Sequence, residues 1–153
     1  LPAGTRVVPQ PGDGSCLFHS LSFGMRACGR GGESANADAL RSAVAAFIEQ
    51  NADAELSSTP LRDWIKWDSD MTVEGYCRRM RRAGEWGGAI EMAVASRLFN
   101  VDIHVYEKSK SSAQSVPFAL ISTFEGAKEA KDVVRVCYSG RCHYDALECK
   151  SKI

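Results

Sequence analysis

The chain lacks any apolar run approaching the ~20 residues needed to span a bilayer, and no leader-like pattern opens it. A membrane partner is therefore not expected. It also lacks an excess of charge of either sign, since 19 Lys and Arg balance 19 Asp and Glu. Nucleic-acid binders usually carry a basic surplus, so that partner class is not expected either. Internal repeats and long low-complexity linkers are missing. Histidine is scarce, at three residues, which leaves few side chains able to move a proton near neutral pH. Cysteine occurs six times but without the paired short spacing of a zinc ribbon or finger. Cys137, Cys142, His143 and Cys149 lie near one another in the sequence. Cys142 and His143 are adjacent, however, and would point to opposite faces of a strand, so no metal is expected, and no other cofactor. The spacings are irregular and the core looks self-sufficient. The cysteines are accordingly expected to be mostly free thiols in a reducing, cytoplasmic compartment.

What is present suits one domain. A chain of 153 residues buries roughly 70% of its unfolded surface on folding. It begins at Leu1 rather than Met, and the expectation is a single domain, 1–153, excised from a longer protein and monomeric. Polar stretches at 30–36 and 107–115 read as loops. Phe18, Leu21, Ser22 and Met25 follow helical spacing, with Asp13 or Ser15 available as a cap. A second helix is expected from Ala37 to Gln50, with Leu40, Ala43, Val44, Phe47 and Ile48 as its stripe. Thr59 as N-cap and Pro60 at the first helical position predict a short helix there. Thr72 opens another, with Val73, Tyr76, Cys77 and Met80 inward, arginines outward, and Gly84 placed to end it. A further helix runs from Ala89 to Phe99, burying Ile90, Ala93, Val94 and Leu98. The period then changes. "VDIHVY", "VPFALIST", "DVVRVCY" and "HYDALEC" read as strands, the last two joined in a hairpin by "SGR". Helices first and strands later give an α+β class, a small sheet with helices packed on it.

The stretch "PGDGSCLFHS" carries the chemistry. A loop with two glycines ends in Cys16 at the start of a helix. A helix N-terminus and a nearby imidazole both favour the thiolate over the thiol. Gly12 and Gly14 let N–H groups from Asp13 to Cys16 converge, which is what a tetrahedral oxyanion requires. Three histidines are candidates for the base. His19 is one helical turn from Cys16 and leaves little room for a substrate between them. His104 alternates with apolar residues in a strand and reads as an ordinary strand histidine. His143 opens the last strand, and Asp145 two residues on shares its face, so the carboxylate can fix the imidazole tautomer and leave the other nitrogen for a thiol. Cys16, His143 and Asp145 would then be nucleophile, base and orienting group.

Three stretches occur in order: "DGSCLFHSL", "YCRRMRRAGEWGGAIEMAVASRLFNVDIHVY" and "CHYDAL". Together they resemble the ovarian-tumour (OTU) family of cysteine proteases, which are deubiquitinating enzymes, over about Val8 to Cys149. The resemblance implies a papain-like fold with a small central sheet and helices on both sides. It implies Cys16 as nucleophile, His143 as base and Asp145 as third member. Asp13, Gly14 and Ser15 would form the oxyanion loop through backbone donors, leaving the Asp13 side chain structural. Trp86, Gly87 and Gly88 would lie by the cleft that admits a ubiquitin C-terminal tail. Ser15 stands where the family often has Asn, and His19 where Arg is common. The expected activity is hydrolysis of the bond between the ubiquitin C-terminal glycine and a lysine, through a Cys16 thioester. Its partner would be ubiquitin or polyubiquitin.

Other readings stand beside this one. A catalytically silent ubiquitin-binding module, or a protease for a ubiquitin-like modifier, would share the same motifs. The "RRMRR" cluster could serve a nucleic acid, but its spacing fits a solvated helix face. Trp86 taken alone would read as a core aromatic. Glu91 reads as structural, either solvated or tying down a nearby backbone group.

Overall fold

Alternation over 101–105 puts Val101, Ile103 and Val105 on one face, and in the β-branched run after Asp132 Val134 and Val136 share a face; the two rows meet side by side at the centre of the molecule. A computed structural model describes residues 1–30, 35–110, 117–130, 132–140 and 142–150. The order is β1 (Arg6–Val8), α1 (Cys16–Ala27), α2 (Ala37–Gln50), β2 (Glu55–Leu56), β3 (Thr59–Pro60), α3 (Leu61–Ser69), α4 (Val73–Met80), α5 (Ala89–Phe99), β4 (Asp102–Lys108), β5 (Phe118–Phe124), β6 (Val133–Ser139) and β7 (His143–Glu148). Five strands form a mixed sheet in the order β1-β7-β6-β4-β5, parallel only between β4 and β6. The hairpin of β6 and β7 pairs Ser139 with His143. The expected loops lie partly outside the described residues: 31–34 of the first and 111–115 of the second, as does Arg141 of the hairpin turn. Of the second loop, residues 107 and 108 belong to β4.

The large core joins Ile103, Val105, Val134 and Val136 of the sheet to Leu17, Phe18 and Leu21 of α1, with Leu40, Val44 and Ile48 of α2 behind them. α1 packs on β6 and β7, α5 on β4 and β5, and α2 bridges α1, α4 and α5, so the helices occupy one face of the sheet. The opposite face has a smaller cluster of strand residues, Tyr106, Phe118, Cys137 and Leu147, with Val7 against it. The helical cover that the family resemblance implied for both sides is thus found on one among the described residues. Alternating strands tolerate this, since their outer row is polar enough to meet water.

Three local expectations change. Thr59 and Pro60 pair with β2 as a short strand, and the following helix starts at Leu61 with Pro60 as its cap residue. α4 stops at Met80, with Arg81 as its C-cap. Gly84 sits in a later turn, at φ +93°. α5 turns Glu91, Met92, Val94, Ala95 and Ser96 inward, while Leu98 is exposed. The stripe of α4 is as expected, with Val73, Tyr76, Cys77 and Met80 buried and Thr72 Oγ1 accepting the Gly75 N–H at 3.1 Å. Among the described residues no helix is long and apolar enough to cross a membrane.

Candidate active site

Cys16 is the first residue of α1 and is 5% exposed. The loop before it is shaped by two contacts. Gly14 adopts φ +83°, and a Cβ there would come within 2.1 Å of the Gly84 carbonyl oxygen, so this position needs glycine on both conformational and steric grounds. Asp13 Oδ1 accepts the Ser15 N–H at 2.9 Å, and its Oδ2 lies 3.1 Å from His19 Nε2. The Ser15 N–H and then His19 hold the Asp13 carboxyl below its ordinary range. The Ser15 N–H is therefore engaged. The Cys16 N–H, at the first helical position, has no acceptor within its own helix and stays available to an anion.

The last strand closes on this turn. The Tyr144 N–H donates to Cys16 Sγ at 3.5 Å. Ser20 Oγ donates to the Cys16 carbonyl at 2.8 Å and to the Tyr144 carbonyl at 3.2 Å, tying the first turn of α1 to β7. On either side of Tyr144, His143 Nε2 lies 2.8 Å from Asp145 Oδ1. The same oxygen accepts the Gln10 N–H at 2.8 Å. The Asp145 side chain is 17% exposed and that of His143 34%, so the pair sits half in water beside a buried sulfur. A thiol, an imidazole and a carboxylate from opposite ends of the chain thus share one neighbourhood.

The other two histidines are engaged elsewhere. His19 holds Asp13. His104 lies on β4 with its ring 6.4 Å from that of Tyr106, on the face of the sheet away from the helices. Burial and then Arg135 push its pKa down, as for an ordinary strand histidine.

Trp86 is not a core residue; it is 61% exposed. It rims a groove of ≈ 340 Å³ with Gly88, Ile121, Tyr138, Cys142 and Tyr144. Gly88 has open space where a side chain would stand, whereas a Cβ on Gly87 would meet Leu17 Cδ2 at 2.9 Å. Gly87 thus serves packing and Gly88 leaves room. Glu91 is 2% exposed, accepts the Gly88 N–H at 2.7 Å and receives the Tyr76 hydroxyl. Burial pushes its carboxyl pKa up. It ties down a backbone group, the second of the two roles expected for it.

Three participants were not anticipated. Gln10 supplies a backbone donor that no side-chain pattern reveals. Ser20 reads in sequence as a mid-helix polar residue. Arg41 is 2% exposed and donates to Ser15 Oγ at 2.9 Å and to the Gly14 carbonyl at 3.3 Å. The signal for Arg41 was available, since it is a charge set on the apolar stripe of α2 between Leu40 and Val44. Of the arginines of α4 and its following turn, Arg78, Arg81 and Arg82 are exposed, while Arg79 is half-buried with its guanidinium 5.6 Å over the Tyr76 ring; Arg79 pairs with Glu85 at 3.1 Å and Arg81 with Glu49 at 2.5 Å. All six cysteines are unpaired. Among the described residues no group of three His, Cys, Asp or Glu could hold a metal ion.

The sequence profile of OTU-like cysteine proteases matches residues 11–146. Ovarian tumor domain-containing deubiquitinating enzyme 4 of Arabidopsis thaliana is 34% identical over 152 residues, covering 92% of this chain and 42% of its own length. Ovarian tumor domain-containing deubiquitinating enzyme 3 of Arabidopsis thaliana is 35% identical over 155 residues, covering 89% of this chain and 64% of its own. The chain therefore spans less than two thirds of either relative. In shape it is similar to an OTU deubiquitinase from Wolbachia pipientis wMel solved bound to ubiquitin. That likeness has a TM-score of 0.68 at 21% identity and covers 96% of this chain and 97% of that one.

Proposed function

The chain belongs to the OTU-like cysteine proteases, and from that premise we propose that it is a deubiquitinating thiol isopeptidase. The observation that carries this reading is the Tyr144 N–H on Cys16 Sγ with the His143–Asp145 pair flanking it. With Nε2–H given to Asp145, His143 keeps the lone pair of Nδ1 for the thiol proton. The Cys16 thiolate attacks the carbonyl carbon of the ubiquitin C-terminal glycine, and the π electrons move onto oxygen. The Cys16 N–H at the end of α1 meets that oxyanion. As the carbonyl re-forms, the C–N bond breaks and the lysine amine leaves with the proton held by His143. Water, deprotonated by the same imidazole, then attacks the thioester carbonyl; the C–S bond breaks, His143 returns its proton to the sulfur, and the ubiquitin carboxylic acid leaves, giving up its remaining proton to water.

The groove at Trp86 and Gly88 is where the extended tail lies. Gly88 leaves room for its backbone, and Tyr138 and Tyr144, with ring centroids 5.2 Å apart, supply an apolar wall. The chemistry uses no metal or organic cofactor. Six unpaired thiols favour a reducing, cytoplasmic setting, and the protein acts as a monomer.

Turnover of a ubiquitin C-terminal fluorogenic substrate tests the reading. Cys16→Ala should lose at least about 1,000-fold in kcat, as loss of a nucleophile does; retained turnover rejects Cys16. A ubiquitin probe with an electrophilic C-terminus separates enzyme from silent binder. Covalent capture at Cys16 supports the enzyme, and binding without capture supports a module. The same panel run with ubiquitin-like proteins decides between modifiers.

A further inference from the structure

Arg41 is a buried cation, and no ion pair among the described residues includes it. A guanidinium leaves water only where hydrogen bonds replace its hydration. Its Nη1 donates to the Met80 carbonyl at 2.9 Å, its Nη2 to Ser15 Oγ at 2.9 Å and to the Gly14 carbonyl at 3.3 Å, and the group lies 4.5 Å over the Phe18 ring. The bond to Met80 joins α2 to the end of α4 and would be enough for a structural strut. The other two go to the loop in front of Cys16.

Those two bonds have a specific geometric effect. The Gly14–Ser15 peptide is held at both ends, its carbonyl by Arg41 and its N–H by Asp13 Oδ1. A peptide unit is planar, so fixing both ends fixes its orientation. It adjoins Gly14, at φ +83°, the residue about which the chain rotates most freely. The next N–H along is that of Cys16. We propose that Arg41 is a positioning residue for the chemistry at Cys16: by locking the Gly14–Ser15 peptide it keeps the Cys16 N–H aimed at the developing oxyanion. This rests on the isopeptidase reading for its consequence, though the lock itself does not.

The test compares wild type with Arg41→Lys, which keeps the charge but cannot reach both acceptors at once, and with Arg41→Met. Hydrogen exchange of the Ser15 amide reads the lock directly. It should speed at least about 10-fold in both variants while amides of β4 and β6 keep their rates. With the fluorogenic ubiquitin substrate, kcat should fall about 10- to 100-fold and KM stay put, because a misaimed donor harms the transition state more than binding. Alkylation of Cys16 by iodoacetamide should be unchanged, since the thiol itself is untouched. Unchanged Ser15 exchange, or wild-type kcat with faster exchange, overturns the proposal. If Arg41→Met unfolds, seen as faster exchange throughout, Arg41→Lys decides. If wild type turns over nothing, the isopeptidase reading fails, and Ser15 exchange alone still decides whether Arg41 holds the loop.

Discussion

One oxygen does two tasks at Asp145. Oδ1 accepts from His143 Nε2 and from the Gln10 N–H, each at 2.8 Å. The Gln10 donor comes from backbone and cannot turn away, so whatever stands at 145 is asked for an acceptor at that point. An asparagine would answer with its carbonyl oxygen, since its NH₂ would leave the Gln10 N–H unpaired at a cost of about 1–3 kcal/mol. The same oxygen would then keep the His143 tautomer and lose only the charge that steadies an imidazolium. Asp145→Asn should therefore retain at least about 10-fold more kcat/KM than Asp145→Ala on the ubiquitin substrate. Equal losses would show that charge, and not orientation, is what Asp145 supplies. Cys16, His143 and Asp145 stand out as candidates in the sequence because loop-to-helix position and strand parity are local properties. Gln10 and Arg41 were hidden for opposite reasons: one acts through backbone that every residue has, the other interrupts the pattern used to find helices.

Elements meet through Glu91. It joins the start of α5, where it accepts the Gly88 N–H, to Tyr76 on α4. Glu91→Gln keeps an acceptor for Gly88 and a polar partner for Tyr76, and should change unfolding free energy by less than about 1 kcal/mol. Glu91→Ala leaves the buried Tyr76 hydroxyl and the half-buried Gly88 N–H unsatisfied and should cost about 2–4 kcal/mol, read from the urea midpoint at constant slope. Glu91 also explains why the buried face of α5 differs from the expected one. Periodicity puts Ile90 and Leu98 inward, but a carboxylate whose partner lies fifteen residues upstream rotates the helix toward it, and Leu98 comes out. By contrast α2 starts and stops where expected, since Asn36 accepts the Ala39 N–H at 2.8 Å and its stripe meets apolar neighbours on every turn. β1 went unseen because three residues carry no period, and its pairing with β7 joins Arg6 to Glu148 across nearly the whole chain. The β2–β3 ladder is shorter still, and Pro60 in it looks like a helix start because proline suits both.

Across the whole molecule, α1 must lie close on the sheet for the thiol to meet β7. Gly24 sets that distance, since a Cβ there would fall 2.4 Å from Val134 Cγ1 on β6. Val is stiff about χ1, so relief must come from moving the helix or the strand. Alanine would gain about 1 kcal/mol of helix propensity and lose about 1–3 kcal/mol to overpacking. Gly24→Ala should therefore come out less stable in a urea melt, with Cys16 turnover lowered although the substitution stands two turns away. A more stable variant with full turnover would show that α1 has slack. The contact between Cys16 and Tyr144 also orders the assembly of the site in time. Within this domain the sulfur is synthesised well before the imidazole, so a chain cut short between them carries the thiol without its proposed partner. A thiol alone is the weaker nucleophile, and the docking of β7 onto α1 is the step that would arm it.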